Sequence, residues 1–227
     1  MKKIAAIVLT FISLNAAAQN IRLNGYANYV FDDKVDSYYS NNSYFDGKIK
    51  GGFQWGVGLE FMVSPFNAVE LTYYRQSTTA PATYRSNVGL VKNGTFDVNL
   101  NWIMANGVRH FQKPGGKFEA AAGLGLGVAI IDATSPENNT KQSVTKFAWH
   151  LRGGGTFWAS ERIGIKLNAQ LQSAVQSVGG GFYLGTGGAG AGLTSYSSLL
   201  QFGLGGGIAV KLGGGTTAKP AAAPRTM

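Results

Sequence analysis

The sequence predicts an all-β fold, an eight-stranded antiparallel up-and-down transmembrane β-barrel with both termini in the periplasm. Three observations lead to this prediction. Apolar and polar or glycine residues alternate through eight segments, each longer than the usual strand of a soluble sheet. The connections between these segments alternate between long and tight. Only 14% of the residues are charged, while 33 of 227 are glycine.

The N-terminal residues have the pattern of a secretory signal peptide. Lys2 and Lys3 precede an apolar run at 4–14, and three alanines at 16–18 fit a cleavage site. The apolar run is shorter than the ~20 residues that a membrane-spanning helix needs. The chain has no cysteine, which excludes a lipid-anchored cysteine and a disulfide framework. We therefore expect residues 1–18 to be a signal peptide and the mature protein to be exported.

The remaining chain divides into a barrel at 19–212 and a flexible Gly/Ala/Pro tail at 213–227, which we expect in the periplasm. The eight predicted strands are 21–32, 49–63, 68–77, 96–111, 118–131, 146–159, 163–177 and 195–212. Long connections are predicted at 33–48, 78–95, 132–145 and 178–194, and tight turns at 64–67, 112–117 and 160–162. Short periplasmic turns and long outer loops are typical of an outer-membrane barrel.

The alternation also predicts which face of each strand meets lipid. In the segment 51–63, "GGFQWGVGLEFMV", one face is apolar throughout and the other carries glycines, Gln54 and Glu60. Because every backbone group in lipid must be paired within the protein, such strands have to close into a barrel. Outward aromatic residues near the strand ends predict two interfacial girdles. We expect Phe61, Phe118 and Phe157 on the periplasmic side, and Tyr29, Phe53, Tyr73, Phe147, Trp149 and Tyr196 on the outer side.

At this point the chain resembles the small eight-stranded outer-membrane β-barrel family, the OmpA/OmpX-like group of Gram-negative envelopes. The resemblance covers roughly residues 21 to 212 and depends on strand count, loop alternation and glycine-rich strands such as "GGFQWGVGLEF" and "QFGLGGGIAVKL". It implies a barrel in the cell outer membrane. Family members include adhesins, structural tethers, lipid-modifying enzymes and subunits of envelope assemblies, so the resemblance does not select among these functions.

Charged residues on the inward faces predict a packed polar lumen, because a barrel of eight strands has room only for side chains. We expect Arg109 and Glu119 to form a cross-strand pair beside the 112–117 turn. Arg22, Arg109 or Lys166 should neutralise Glu60 and Glu70 near the 64–67 turn. The alternative is a proton or solute path. The predicted inward charges are Arg22, Lys50, Glu60, Glu70, Asp97, Arg109, Glu119, Arg152, Lys166 and Lys211.

The first long connection, "DDKVDSYYSNNSYFDG", is a candidate contact site outside the cell. Its exposed aromatic residues lie among Asn and Ser, as in recognition surfaces, although an extension of the interfacial girdle fits equally well. The aspartates do not have the spacing of an EF-hand, so no metal site is predicted. The candidate contact residues are Tyr38, Tyr39, Tyr44 and Phe45.

Enzymatic patterns are weak. His150 is the one histidine placed for a hydrolase or acyltransferase site, with Asp97 as the acid and Ser143 or Ser197 as the nucleophile. A lumenal polar residue is the simpler interpretation of His150, and a periplasmic rim residue is the simplest one of His110. "GTGGAG" at 185–190 matches a dinucleotide motif by letter only, since no strand and helix flank it.

The sequence therefore predicts a non-catalytic outer-membrane protein, with no cofactor, that is a structural protein or an accessory subunit of a larger envelope assembly. The alternatives are a small solute pore and, less favoured, a lipid-modifying hydrolase or acyltransferase. Expected partners are outer-membrane lipid, lipopolysaccharide and other outer-membrane or periplasmic proteins. Basic residues are scattered singly despite a net charge of +9, which argues against nucleic acid.

Overall fold

A computed structural model describes residues 21–39, 43–85, 91–112, 115–134, 141–175 and 199–212. The predicted signal peptide, the predicted outer loop at 178–194 and the predicted tail at 213–227 lie outside these residues. The strands are β1 (Ile21–Val30), β2 (Asp33–Tyr39), β3 (Ser43–Ile49), β4 (Gly52–Met62), β5 (Asn67–Arg85), β6 (Val91–Gln112), β7 (Phe118–Thr134), β8 (Lys141–Trp158), β9 (Ile163–Val175) and β10 (Leu199–Lys211).

Eight of these strands close into an antiparallel barrel. The order around the ring is β5-β4-β1-β10-β9-β8-β7-β6, and β6 pairs with β5 to close it. The β1–β10 register runs from Arg22 opposite Lys211 to Val30 opposite Gly203, which joins the two ends of the described chain. The prediction of a closed eight-stranded up-and-down barrel is thus confirmed. Closure pairs the backbone groups of every barrel strand, as a position in lipid requires.

The two ends of the barrel differ. At one end, here called the turn end, short turns connect β4 to β5, β6 to β7 and β8 to β9. The first of these turns is closed by hydrogen bonds from the amides of Val63 and Ser64 to the Asn67 carbonyl. In the second, Gly115 has a φ of 72°, a left-handed conformation that favours glycine. The opposite end, the loop end, carries the longer connections.

The prediction that residues 33–48 form a loop is wrong. They contain β2 and β3, which pair as a hairpin from Asp33 opposite Ile49 to Tyr39 opposite Ser43. β3 also pairs with β5 around Asp46 opposite Thr83, beyond the end of β4. The hairpin therefore continues the wall of the barrel past the loop end, because the exposed edge of the long strand β5 offers it a pairing partner.

Four strands are longer than predicted. β5, β6, β7 and β8 have 19, 22, 17 and 18 residues, although 9–11 residues are enough to cross a bilayer. Their extra residues lie at the loop end and replace most of the predicted loops at 78–95 and 132–145. We call these loop-end residues, together with the adjoining 75–77 and 96–101, the outer wall (residues 75–85, 91–101, 132–134 and 141–145). Most of its described outward side chains are polar, and Ser77 Oγ donates to Asn99 Oδ1 at 2.7 Å.

The outside of the barrel below the outer wall is an apolar belt. Exposed Val, Leu, Ile and Phe side chains cover β1, β4 and β7 to β10, as a lipid-facing surface requires. Of the predicted girdle residues, Phe61, Phe118 and Phe157 are exposed at the turn end and Tyr29, Phe53 and Phe147 are exposed toward the loop end, while Tyr73 and Trp149 are half-buried. Tyr196 lies outside the described residues. None of the described residues forms a helix long and apolar enough to cross a membrane.

The interior has two parts. The turn-end half is polar and charged, while the loop-end half is an apolar core shared by β6, β7 and neighbouring strands. Its members on β6 include Phe96, Leu100 and Trp102, which are almost completely buried. These side chains narrow the loop end of the barrel, which does not form a wide channel.

Candidate functional site: the lumen of the barrel

The turn-end half of the lumen holds a set of buried charges that we call the lumenal network. Strand alternation directs these side chains inward, one from each of seven of the eight barrel strands, β1 and β4 to β9. Its members are Arg22, Glu60, Glu70, His110, Glu119, Arg152 and Lys166.

One group in this network surrounds Arg22 and His110. Arg22 Nη1 donates to Glu119 Oε1 at 2.6 Å and lies 3.3 Å from Glu60 Oε1. His110 lies between the same two carboxylates, with Nδ1 2.7 Å from Glu119 and Nε2 3.1 Å from Glu60. The His110 nitrogens meet these oxygens at ion-pair distance without the directionality of hydrogen bonds. Two cationic or ionisable groups thus bridge carboxylates from β4 and β7 across the lumen.

A second group surrounds Glu70, which is fully buried. Arg152 Nη2 donates to Glu70 Oε2, and Arg152 Nη1 donates to the Tyr74 hydroxyl at 2.9 Å. Tyr26 donates to Glu70 Oε1 at 2.5 Å. Lys166 Nζ donates to Asn24 Oδ1 at 3.0 Å and lies 3.9 Å from Glu60 Oε2, which links the two groups.

Charge and space are both matched in the lumenal network. Three carboxylates face three basic side chains, Arg22, Arg152 and Lys166, so each carboxylate of the lumenal network has a cation beside it. Inward glycines leave room for the long side chains. A Cβ at Gly58 would lie 2.3 Å from Glu70 Oε1, and one at Gly125 would lie 2.0 Å from Asn106 Oδ1. Any larger residue at these two positions would displace the Glu70 carboxylate or the Asn106 side chain.

Above the lumenal network, toward the loop end, two chains of side-chain amides form an amide layer. In the first, Asn168 donates to Asn28 (3.0 Å), Asn28 to Gln170 (3.2 Å) and Gln170 to Gln54 (2.6 Å). In the second, Gln172 donates to Gln201 and Gln201 to Gln76, each at 3.1 Å. All seven side chains are buried. The layer lies between the charged network and the apolar core, so the described lumen is occupied along most of its length.

The structure places six of the ten predicted charges in the lumenal network: Arg22, Glu60, Glu70, Glu119, Arg152 and Lys166. Lys211 lies nearby at the turn end, with Nζ 3.8 Å from the ring centroid of Trp158. The other three, Lys50, Asp97 and Arg109, are exposed, and their predicted positions are wrong.

Asp97 and Arg109 were misplaced for one reason, the assumption that the more apolar face of each strand meets lipid. On β6 the apolar set that includes Phe96, Leu100 and Trp102 faces the interior. Arg109 therefore points outward, where it donates to Asn67 Oδ1 at 2.9 Å. The predicted Arg109–Glu119 pair does not form, and Arg22 and His110 contact Glu119 instead.

Lys50 was misplaced because the alternation is interrupted between β3 and β4. Ile49 points inward and is buried, and Gly52, three residues later, lies on the inward face as well. Two residues, Lys50 and Gly51, therefore separate them where strict alternation allows one, and Lys50 is exposed. Its backbone amide donates to the Thr79 carbonyl at 2.9 Å, so the interruption is a bulge within the paired wall.

His110 lies in the lumen and not at the periplasmic rim, and four neutral polar residues of the lumen were not predicted from the sequence. Three of them, Asn24, Tyr26 and Tyr74, are buried and hydrogen-bonded to Glu70 or Arg152 of the network. The fourth, Asn106, is buried and donates to the Thr72 hydroxyl. The available signal was the even-numbered face of β6, which carries Asn106 and His110 together with the apolar core residues. Assigning that face to the interior would have identified both.

The geometry does not assemble the hydrolase site considered from the sequence. His150 is buried, its Nδ1 lies 3.1 Å from Asn106 Oδ1, and its ring meets Tyr74 edge-on. Asp97 and Ser143 are exposed on outward faces, and Ser197 lies outside the described residues. No group of three His, Asp or Glu side chains in the described chain is arranged to hold a metal.

The candidate contact residues of the first connection lie on the β2–β3 hairpin and not in a loop. Tyr38 pairs with Tyr44, Ser37 with Phe45 and Tyr39 with Ser43. Their backbone positions place them on the part of the hairpin farthest from the barrel. Their role as an external contact stays a prediction.

Comparison with solved structures bears on the fold. The structure of Neisserial surface protein A (NspA) aligns over 84% of this chain and 96% of its own, with a TM-score of 0.53 and 11% sequence identity. Outer membrane protein OprG from Pseudomonas aeruginosa aligns over 87% of this chain and 98% of its own, with a TM-score of 0.55 and 10% identity. No protein-family model and no curated protein sequence matches the chain.

The chain has the fold of the small outer-membrane β-barrels. Both structural relatives are covered almost completely, so the likeness extends over the whole barrel. The apolar belt and its girdles independently require lipid around the barrel. Together, the closed barrel, the belt and the relatives identify an outer-membrane protein with transmembrane β-strands.

Proposed function

We propose that the protein is a non-catalytic, non-conducting outer-membrane barrel that works by contact, as a structural protein or as an accessory subunit of a larger envelope assembly. The observation that carries this proposal is the filled lumen. The lumenal network, the amide layer and the apolar core follow one another along the barrel axis. A filled lumen is unsuited to solute passage, which leaves the surfaces of the barrel as its means of action.

The outer wall and the β2–β3 hairpin supply an extended contact surface. Ten strand residues beyond the membrane correspond to roughly 33 Å of extended chain. Most of the described outward side chains of this wall are polar, as in the hydrogen bonds from Ser77 to Asn99 and from Thr83 to Asn93. Such a surface suits a protein or lipopolysaccharide partner better than lipid.

The contact role is tested with the protein in its own membranes. Solubilised in mild detergent, it should migrate on a native gel as a species larger than the 24.0 kDa chain with its detergent. Replacing Ser77 and Asn99 by arginine on the outer wall should reduce that species, because two large cations replace a neutral hydrogen-bonded pair. A matched control replaces Leu124 by isoleucine on the lipid-facing belt and should leave it unchanged. A monomer in both cases contradicts the contact role.

The alternative functions make different predictions. A small pore would let solutes such as glycine enter proteoliposomes faster than they enter empty liposomes, whereas a filled lumen gives no difference. A lipid-modifying enzyme would alter the acyl composition of outer-membrane lipid in a way that His150→Ala abolishes. The contact between His150 and Asn106, and the outward position of Ser143, favour a structural role for this histidine.

A further inference from the structure

The two amide chains end side by side. The last members, Gln54 and Gln76, are direct cross-strand partners on β4 and β5 and are fully buried. Each uses its Oε1 to accept from the preceding amide, Gln170 or Gln201. The Nε2 of each has no hydrogen-bond partner among the described residues. Both chains therefore leave an unused N–H donor at the same place on the barrel wall.

A third unused donor lies on the next strand. Gln76 is opposite Leu100 on β6, which makes Trp102 the diagonal neighbour of Gln76 on the same inward face. The Trp102 side chain is fully buried, and its Nε1 also lacks a partner within the described part of the chain. Consecutive strands β4, β5 and β6 thus each contribute one buried, unpaired N–H group.

These three groups need an acceptor. An unpaired buried donor lowers the stability of the folded protein by about 1–3 kcal/mol, so three of them at one place are unusual in the absence of a bound acceptor. Each glutamine Oε1 already accepts one hydrogen bond, so the groups left unpaired at this place are all donors, and a water molecule would add two more donors there. A carboxylate, with two oxygens that only accept, matches a donor-only site.

The surroundings indicate an apolar molecule behind that carboxylate. Gly52 is the next inward residue after Gln54 toward the loop end, and a Cβ added there would meet nothing within 4 Å. Space is therefore present beside the donors. Toward the loop end the inward neighbours include the apolar, buried Val30 opposite Gly52 and Val98 on β6, beside Thr78, whose hydroxyl donates to the Lys50 carbonyl.

A cation is available as well. Lys146 lies in the same row across the sheet as Trp102, with only Ala129 between them. It is half-buried on the inward face and forms no ion pair with any described residue. The two backbones are about 10 Å apart, a gap that two long side chains reach across. Because Lys146 carries a positive charge, a carboxylate between Trp102 and Lys146 would be bound more favourably than a neutral carbonyl group.

We propose that the lumen binds a monocarboxylate with an apolar chain, whose carboxylate accepts hydrogen bonds from Gln54 Nε2, Gln76 Nε2 and Trp102 Nε1 and whose chain extends toward the loop end past Gly52. The site lies on the loop-end side of the lumenal network, which separates it from the turn end of the barrel. The barrel would therefore bind such a molecule without passing it through, a role that goes beyond contact with partners.

Octanoate is the probe. The full-length protein, 15N-labelled and refolded in a maltoside detergent that carries no carboxylate, is titrated with octanoate while the tryptophan indole N–H signals are recorded. We expect one indole signal to shift saturably, and octyltrimethylammonium, which has no acceptor, to shift none. Trp102→Phe removes the N–H and keeps an aromatic ring, so its affinity should fall about tenfold. Trp149→Phe, on the outward face, is the matched control and should bind as the native protein does.

Three results would overturn the proposal: folded protein with no saturable octanoate shift, equal affinity in the Trp102→Phe and Trp149→Phe variants, or equal binding of octyltrimethylammonium. Affinities of the Trp102→Phe variant are read by intrinsic fluorescence, since its indole signal is lost. If that variant does not fold, Lys146→Met decides the question, because Lys146 forms no ion pair with any described residue that folding would miss. Unchanged octanoate affinity in Lys146→Met then counts against the carboxylate site.

Discussion

Arg152 is the residue on which the charge balance of the lumen depends most. Its guanidinium donates to Glu70 and Tyr74 and lies 4.8 Å from the ring centroid of Tyr26, all on the inward face. Arg152→Met should destabilise the barrel by about 3–5 kcal/mol, because Glu70 would remain buried without its cation. Urea unfolding of the protein in lipid vesicles measures this change.

Arg109→Met is the matched control. Arg109 is exposed at the turn end, over the Phe66 ring and bonded to Asn67, and has no described acidic partner. Its replacement should cost less than about 1 kcal/mol. Equal destabilisation by the two substitutions would mean that the lumenal network contributes no more than a surface cation does.

Single residues also show what could be predicted from the sequence. Glu60, Glu70, Glu119, Arg152 and Lys166 were assigned inward by alternation alone, because each lies on a strand whose other face is plainly apolar. Which cation meets which carboxylate could not be predicted, since side chains from opposite walls meet in the lumen. Arg22 reaches Glu119, a residue 97 positions away on a strand that does not adjoin β1.

At the scale of the element, close strand pairing depends on particular glycines. A Cβ at Gly127 on β7 would lie 2.0 Å from the Ile103 carbonyl oxygen, a backbone atom that cannot move aside cheaply. One at Gly153 on β8 would meet nothing within 4 Å. Gly127→Ala should therefore cost about 1–3 kcal/mol, and Gly153→Ala less than about 0.5 kcal/mol, in the same unfolding assay. The reverse order would contradict this account of the sheet.

The β2–β3 hairpin is joined to the barrel by Asp32, which lies beyond the loop-end girdle. A hydrogen bond from Lys48 lowers the pKa of the Asp32 carboxyl, and a second one from the Gly51 amide (2.7 Å) lowers it further. A lowered pKa in the folded state means that the stabilisation is present at neutral pH and is lost as the pH falls through that pKa. The junction should therefore loosen only below about pH 4.

Hydrogen exchange of the Gly51 amide, followed by NMR between pH 7 and pH 3, measures this loosening. Protection of Gly51 should fall with acid in the native protein. In Asp32→Ala, which removes the acceptor of the Gly51 amide, it should be low and independent of pH in this range. Loss of protection at neutral pH in the native protein would contradict the assigned role of Asp32.

Element boundaries at the loop end were the least predictable part of the fold. In the extended part of β5, inward Ala80 and Ala82 are small and the outward residues are polar, so no apolar stripe marks the strand. Its pairing with β6 from Ser77 opposite Asn99 to Arg85 opposite Val91 is what makes it a strand. The same holds for β2 and β3, whose pairing with each other and with β5 outweighs their loop-like composition.

At the scale of the whole molecule, strand number, closure and the apolar belt followed from alternation and loop lengths, because lipid imposes a strict period on the outward face. The apolar core at the loop end did not follow, since it reverses the usual rule that the apolar face is outside. This reversal places apolar side chains in the lumen where a pore would have to open. We therefore expect charges at one end and apolar packing at the other to close the lumen of the native protein to ions.

Single-channel recording in planar lipid bilayers tests this closure most directly. The native protein, inserted in a folded and heat-modifiable form, should show no steady conductance in potassium chloride, because ions would have to cross both the lumenal network and the apolar core. Arg152→Ala combined with Glu70→Ala should not open a wide channel either, since the amide layer and the apolar core remain. Large, well-resolved openings in the native protein would contradict the closed lumen and favour a pore.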